Sequence, residues 1–202
     1  KSMDEALQVW DRIKVLADAV WVIRNYKPDV IIARFPPDAR AGHGHHSASA
    51  QIAREAFIAA ADPTQFPEQL TNGVTIWQAK RLLWNTFNFG GANTTSNDQF
   101  KMDVGIYNAL EGKSYGEIGG EARSMHKSQG EGRPRRKGEV LEYFTTVLGE
   151  APTQTLLDGV TLDWTRLGQN ARSISTSIDA TITAYNPLQP AISLPLLVDV
   201  YK

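Results

Sequence analysis

With 202 residues, 42% of them hydrophobic, the chain is long enough for one α/β domain with its own core, or one domain and part of a second. Its 21 basic and 22 acidic residues leave a formal charge of −1, which excludes a long-range field that would draw nucleic acid or an anionic membrane to the whole surface. Cysteine is absent, which excludes disulfides, thiolate ligands and a cysteine nucleophile, and no run of about 18 apolar residues suggests a membrane span or leader.

Ser2 with Glu5 reads as a capping box that opens a helix. Leu7, Trp10, Ile13, Ala17, Val20 and Ile23 recur at three- and four-residue steps, so one stripe carries that helix to Pro28. Asp29 to Phe35 (DVIIARF), bounded by Pro28 and by Pro36 and Pro37, reads as a buried strand. A long helix feeding such a strand is the second half of a βαβ unit, which predicts a parallel sheet covered on both faces, its earlier strands lying ahead of Lys1.

After the loop PPDARAGHGHH, the Ala-rich segment Ser47 to Ala61 predicts a second helix starting near His46, with Ile52, Ala56, Phe57 and Ala60 on one stripe and Pro63 as its stop. Lys80 to Phe87 (KRLLWNTF) reads as the next strand, and NFGGANTTSND as a polar loop suited to the mouth of a site. Ser114 and Glu117 form another capping box, opening a helix over Ser114 to Lys127 that carries Ile118, Ala122 and Met125 and is weakened by Gly119 and Gly120. GEGRPRRKG is a basic loop, read as a solvated turn or as an anion-binding one. Val140 to Leu148 (VLEYFTTVL) reads as a last strand, although its apolar run also fits a short helix.

Composition shifts at Ala151. Residues 1–150 therefore read as the main domain and 151–202 as a terminal extension, with Leu156 to Leu167 outside the sheet and a helix over Ala171 to Tyr185 whose Ile174, Ile178 and Ile182 are spaced by fours. The stretch ISLPLLVDVY has no evident partner. Trp77, Trp84 and Trp164 read as packing residues rather than sugar platforms.

All four histidines fall in two places, with His43, His45 and His46 in one loop and His126 near a helix end. Imidazole both binds zinc and titrates near neutral pH, so such a group suits a metal site or acid–base work. The loop follows the carboxyl end of a strand and leads into a helix, where open α/β sheets place their ligands. A catalytic zinc takes about three protein ligands and keeps one position open, more than adjacent loop histidines supply. The same residues also fit an exposed loop with incidental metal affinity, and His126 fits a helix C-terminal histidine meeting the last carbonyls.

The segment RFPPDARAGHGHHSASAQIAREAF resembles the H-x-x-H region of the LmbE-like, or PIG-L, deacetylases, especially their long bacterial members. The likeness extends through DRIKVLADAVWVIRNYKPDVIIARFPPD, FPEQL, QAKRLLWNTFNFG and KSYGEIGGEARSMHKSQG. It implies a Rossmann-like α/β fold with a mostly parallel sheet, incomplete at the N-terminus, and Zn²⁺-dependent hydrolysis of the N-acetyl amide of an amino sugar of the N-acetylglucosamine type. By the same resemblance His46 is a zinc ligand and His43 stabilises the tetrahedral oxyanion. Around them, His45, Asp38, Arg34, His126, Ser128 and Gln129 would support the metal ligands or meet the substrate.

Two features depart from that pattern. Gly44 and His45 stand where many relatives have Pro-Asp, so an orienting carboxylate for His43 would come from elsewhere, with Asp38 as the candidate. The A-H-P-D-D-E segment that supplies the other ligands and the general base is not in this sequence, so the 202 residues alone are expected to be inactive. The resemblance also points to an extracytoplasmic bacterial setting. Two rival readings are a carbohydrate-binding module that kept the fold without the metal, and an interaction domain that docks through ISLPLLVDVY.

Overall fold

Ser2 opens the first helix by accepting the Glu5 N–H on its Oγ at 3.1 Å, and α1 runs Met3–Trp10. The computed structural model describes residues 2–89, 91–129, 131–168 and 171–202; Gly90 of the polar loop and Gly130 of the basic loop lie outside the described residues. Asp11 stops α1 in the left-handed region, φ 58°, and its carboxylate accepts the Lys14 N–H to cap α2, Arg12–Tyr26. The single helix expected up to Pro28 is therefore two. The turn at Asp11 breaks the phase of the stripe, which leaves Ile13 63% exposed while Leu7, Val20 and Ile23 are buried.

Lys27, also left-handed, ends α2 and turns the chain into β1, Val30–Ala33. Next come α3, Gly44–Ala59, and β2, Arg81–Thr86, whose branched and aromatic residues suit a central strand. The loop expected after β2 contains a small hairpin, β3 Asn88–Phe89 with β4 Ala92–Asn93, and just beyond it lies a strand that sequence reading missed, β5 Phe100–Asp103. A second hairpin, β6 Tyr107–Asn108 with β7 Lys113–Ser114, leads into α4, Tyr115–Ser124, which opens on the expected capping box of Ser114 and Glu117. The run from Val140 is the strand β8, Leu141–Gly149, and not a helix.

The fold is mixed α/β, and its four-stranded sheet has the order β1-β2-β8-β5. Only β1 and β2 pair in parallel; β8 is antiparallel to β2 and to β5, which corrects the expectation of a mostly parallel sheet. The reason lies in the connections. Asp103 pairs with Leu141, so everything between them is spent at one end of the sheet, and β8 starts where β2 and β5 finish. A strand entering there can only run back.

α3 is the element on which the helices converge. Leu7 of α1 packs on Ala48 and Ile52, Val20 and Ile23 of α2 pack on Ala56, Ala59 and Ala60, and Phe57 meets Leu82 and Ala79 at the sheet. On the other sheet face Leu83, Phe144 and Leu156 form a smaller cluster. Burying side chains of this size contributes about 1.5–3 kcal/mol each.

Two buried arginines tie the loops to this frame. Arg24 donates to the carbonyls of Ala59, Ala60, Asp62, Gln65 and Phe66 and to Gln69 Oε1, at 2.8–3.2 Å. It thus closes the C-terminal end of α3, where the helix dipole favours a cation. Burial lowers its pKa from the ordinary value, with the Glu68 and Asp62 carboxylates pulling the other way. Arg81 donates to the carbonyls of Glu150, Leu156 and Asp158 at 3.0, 2.6 and 2.6 Å.

The chain divides into two compact units, one comprising Lys1–Asn108 and Lys113–Asp158, the other Ala109–Gly112 and Gly159–Lys202. Ala151 to Asp158 thus belongs with the sheet, through Arg81 and Leu156, although composition groups it with the extension. In the second unit the expected helix is α5, Ala171–Ala184, and ISLPLLVDVY forms a 3-10 turn followed by α6, Leu194–Tyr201. Ala171 and Thr181 are its buried positions on α5, and Ile174 and Ile182 remain exposed.

Candidate active site

β1 ends at Ala33 opposite Trp84, and Arg34 and Phe35 carry the chain off the sheet into Pro36 and Pro37, which forbid further strand pairing. Asp38 then accepts the backbone N–H of Arg40 at 2.9 Å and opens a 3-10 turn, Ala39–Ala41. Both Asp38 oxygens also accept from the Arg40 guanidinium, at 2.9 and 2.7 Å, which holds that carboxyl below the usual carboxylate range. Asp38 is thus engaged with Arg40 rather than with His43. Arg40 in turn lies 5.0 Å over the ring of Trp84, the one residue among those described with a buried side-chain donor, Nε1, that has no partner.

Gly42, at φ 79°, makes the turn that lets α3 begin, two residues before His46. His43 is the extended N-cap residue of α3, its carbonyl accepting the His46 N–H at 3.0 Å while its ring makes no bond to the first turn. The three imidazoles meet there. Ring centroids are 5.3 Å apart for His43 and His46, 5.5 Å for His43 and His45, and 4.2 Å for His45 and His46.

His46 is the most constrained of them. Its ring stacks on Phe35 at 3.9 Å with an interplanar angle of 3°, and its Nδ1 lies 3.1 Å from the Ala41 carbonyl. A carbonyl only accepts, so Nδ1 carries the proton, and in the neutral ring Nε2 holds the lone pair. Metal-binding histidines are commonly oriented in this way, with the second nitrogen donating to a backbone carbonyl.

A cleft of about 420 Å³ opens beside His43, lined by Ser2, Met3 and Asp4 at the start of α1, by Asp38, and by Gly44 and Ser47 at the start of α3. The first turns of two helices border it, and such turns present backbone N–H groups that favour negative charge. Arg34 stands at the same end of the sheet, bonded to Asn85 Oδ1, 3.6 Å from Glu142 and 5.8 Å over the Phe87 ring. Asn85, Glu142, Phe35 and Phe87 escaped the sequence reading. Glu142 did carry a signal, as the sole acid within the apolar run of β8.

His126, Ser128 and Gln129 lie in an exposed turn after α4, closed by the Gln129 N–H on the His126 carbonyl and by Arg123 donating to the Gln129 carbonyl, both at 3.0 Å. That turn follows the strands that finish at the same end of the sheet as the histidine loop, and the two hydrogen bonds that close it stay within the turn and the end of α4. Among the described residues, no three His, Asp or Glu groups converge on a point that could hold a metal ion.

No family model, curated protein or solved structure matches the chain. Among the described residues, no helix is long and apolar enough to cross a membrane.

Proposed function

We propose that the chain carries the histidine loop of a zinc-dependent N-deacetylase of the LmbE/PIG-L type, built on a Rossmann-like domain, that hydrolyses the acetamide of an amino sugar. The observation behind this reading is the His46 ring, held on one side by Phe35 and at Nδ1 by the Ala41 carbonyl, so that Nε2 is presented as a donor. His46 would hold the zinc together with the His and Asp of an A-H-P-D-D-E segment that this sequence lacks. Bound zinc would supply Lewis acidity toward the amide carbonyl and toward water.

The remaining tasks fall to this chain's own groups. His43, beside His46 at the edge of the cleft, donates an N–H to the oxygen on which charge develops. The first turn of α3 favours that charge, while the Asp4 and Asp38 carboxylates on the opposite rim of the cleft oppose it. Phe35 keeps water from one face of the His46 ring.

The test has a metal readout and an activity readout. Calorimetric titration of the chain with Zn²⁺ is expected to show weak binding that His46→Ala abolishes and His126→Ala leaves intact. A gene product that includes an A-H-P-D-D-E segment is expected to release acetate from an N-acetylglucosaminide, with His43→Ala slowing it by about 10²–10³-fold. Tight one-to-one zinc binding that survives His46→Ala would contradict the proposal.

A further inference from the structure

The basic segment after α4 is a charged feature that the histidine loop leaves unused, with Arg133, Arg135, Arg136 and Lys137 close together in the chain. Arg135 and Lys137 both reach back to α4, where Glu121 lies 3.3 Å and Glu117 3.6 Å away. Glu121 is shared with Lys113 at 2.8 Å. The acids of α4 are thereby taken up. The guanidinium of Arg136, the residue between the two paired ones, has no hydrogen bond or ion pair among the described residues.

Arg136 lines a cleft of about 430 Å³ together with Lys137, Glu139, Val140, Leu141 and Tyr143. The walls are pinned by backbone groups. The Arg136 carbonyl accepts the Ser114 hydroxyl at 3.3 Å, Val140 donates its N–H to Asp103 Oδ1 at 2.9 Å, and the Val140 carbonyl accepts the Val104 N–H at 2.8 Å. Between these points Gly138, at φ 80°, turns the chain. Lys101 pairs with Tyr143 across β5 and β8, so both side chains leave the same sheet face, and its ammonium lies 5.8 Å from the ring centroid. A ligand entering here meets a prearranged surface and has little loop to order.

Charge and shape together select the ligand. Arg136 and Lys137 border the cleft against one carboxylate, Glu139; Lys137 is shared with Glu117, and Lys101 lies within the field of Asp98. The uncompensated cation is therefore Arg136, whose planar fork matches two oxygens of a phosphoryl group at once. Val140, Leu141 and the Tyr143 ring add an apolar wall, which a free phosphate ion cannot use. We infer that this cleft binds a phosphate monoester carried on an apolar or aromatic group, with Arg136 on the phosphoryl oxygens and Leu141 and Tyr143 against the carrier. The site uses no residue of the histidine loop, so it goes beyond the deacetylase reading and stands independently of it.

Three probes test it by calorimetry at low salt: phenyl phosphate, inorganic phosphate and phenol. Phenyl phosphate is expected to bind, inorganic phosphate about tenfold more weakly, and phenol not measurably. Arg136→Gln should weaken phenyl phosphate by about tenfold while keeping the wild-type melting temperature, since the side chain is exposed. Arg54→Gln, which removes an equal charge from the exposed side of α3, and His46→Ala should leave the affinity unchanged. Failure of phenyl phosphate to bind overturns the inference, and so does an equal loss in Arg136→Gln and Arg54→Gln, which would mean diffuse surface charge. Equal affinities for the ester and for free phosphate overturn the apolar carrier, and phenol binding as tightly as the ester overturns the anion.

Discussion

Arg24 gathers six oxygen acceptors from the end of α3 and from the loop that follows it. A buried carbonyl that loses its donor costs about 1–3 kcal/mol, so the worth of this side chain lies less in the bonds it makes than in what it would leave behind. Arg24→Met is expected to lower the unfolding free energy by at least about 3 kcal/mol, read from the midpoint of urea denaturation. Arg24→Lys should recover only part of this, because three donors on a point charge cannot span acceptors that a planar fork reaches. A loss below about 1 kcal/mol for the Met variant would mean that the loop re-pairs by itself.

Helix α4 shows how a residue that looks unfavourable in isolation can be required by its neighbour. A Cβ on Gly120 would sit 2.8 Å from the Pro134 carbonyl oxygen and one on Gly116 3.0 Å from that of Arg136, so the basic segment lies flat along this face of the helix. Salt bridges from Arg135 to Glu121 at 3.3 Å and from Lys137 to Glu117 at 3.6 Å hold it there. Gly119 faces open space. Gly119→Ala is therefore expected to stabilise the protein by about 1 kcal/mol, the ordinary helix preference, and Gly120→Ala to destabilise it despite the same preference. Thermal melts of the two variants moving in the same direction would refute this packing.

The elements themselves differ in how plainly they were written. Ser114 with Glu117, the β-branched run of β1, and the apolar run from Val140 that becomes β8 are local signals, and the chain obeys them. Asp11 gave no such warning, because an apolar stripe is a statement about one helix axis and cannot report that the axis changes. β5 is FKMD, with a single large apolar residue packed at Phe100, and it exists because β8 offers it an edge. At the candidate site the histidines were legible as a cluster. The Asn85–Glu142 contact spans 57 residues and depends on the antiparallel register of β2 and β8, which no local pattern encodes.

At the scale of the whole molecule, the limit of the first unit is set by Arg81 rather than by the change in composition at Ala151. The carbonyls of Leu156 and Asp158 complete its donors, and Leu156 covers Leu83 and Phe144. A chain ending at Asp158 is expected to melt cooperatively. One ending at Glu150 should melt about 10 °C lower or more, since it loses an apolar side chain and two bonds to a buried cation. Equal melting temperatures for the two truncations would show that Arg81 finds other acceptors.

The left-handed break at Asp11 has a consequence for how change can accumulate in this protein. α1 meets α3 through Leu7 on Ala48 and Ile52, and α2 meets it through Val20 and Ile23 on Ala56 and Ala59, but Val15, Leu16 and Ala19 of α2 pack against the Leu7 cluster as well, so the bend at Asp11 joins two helices that share one core. The start of α1 forms one rim of the cleft beside His43, and α2 is held besides by the guanidinium of Arg24. A change of volume at Leu7 would therefore be felt at the rim of the cleft and along α2 together.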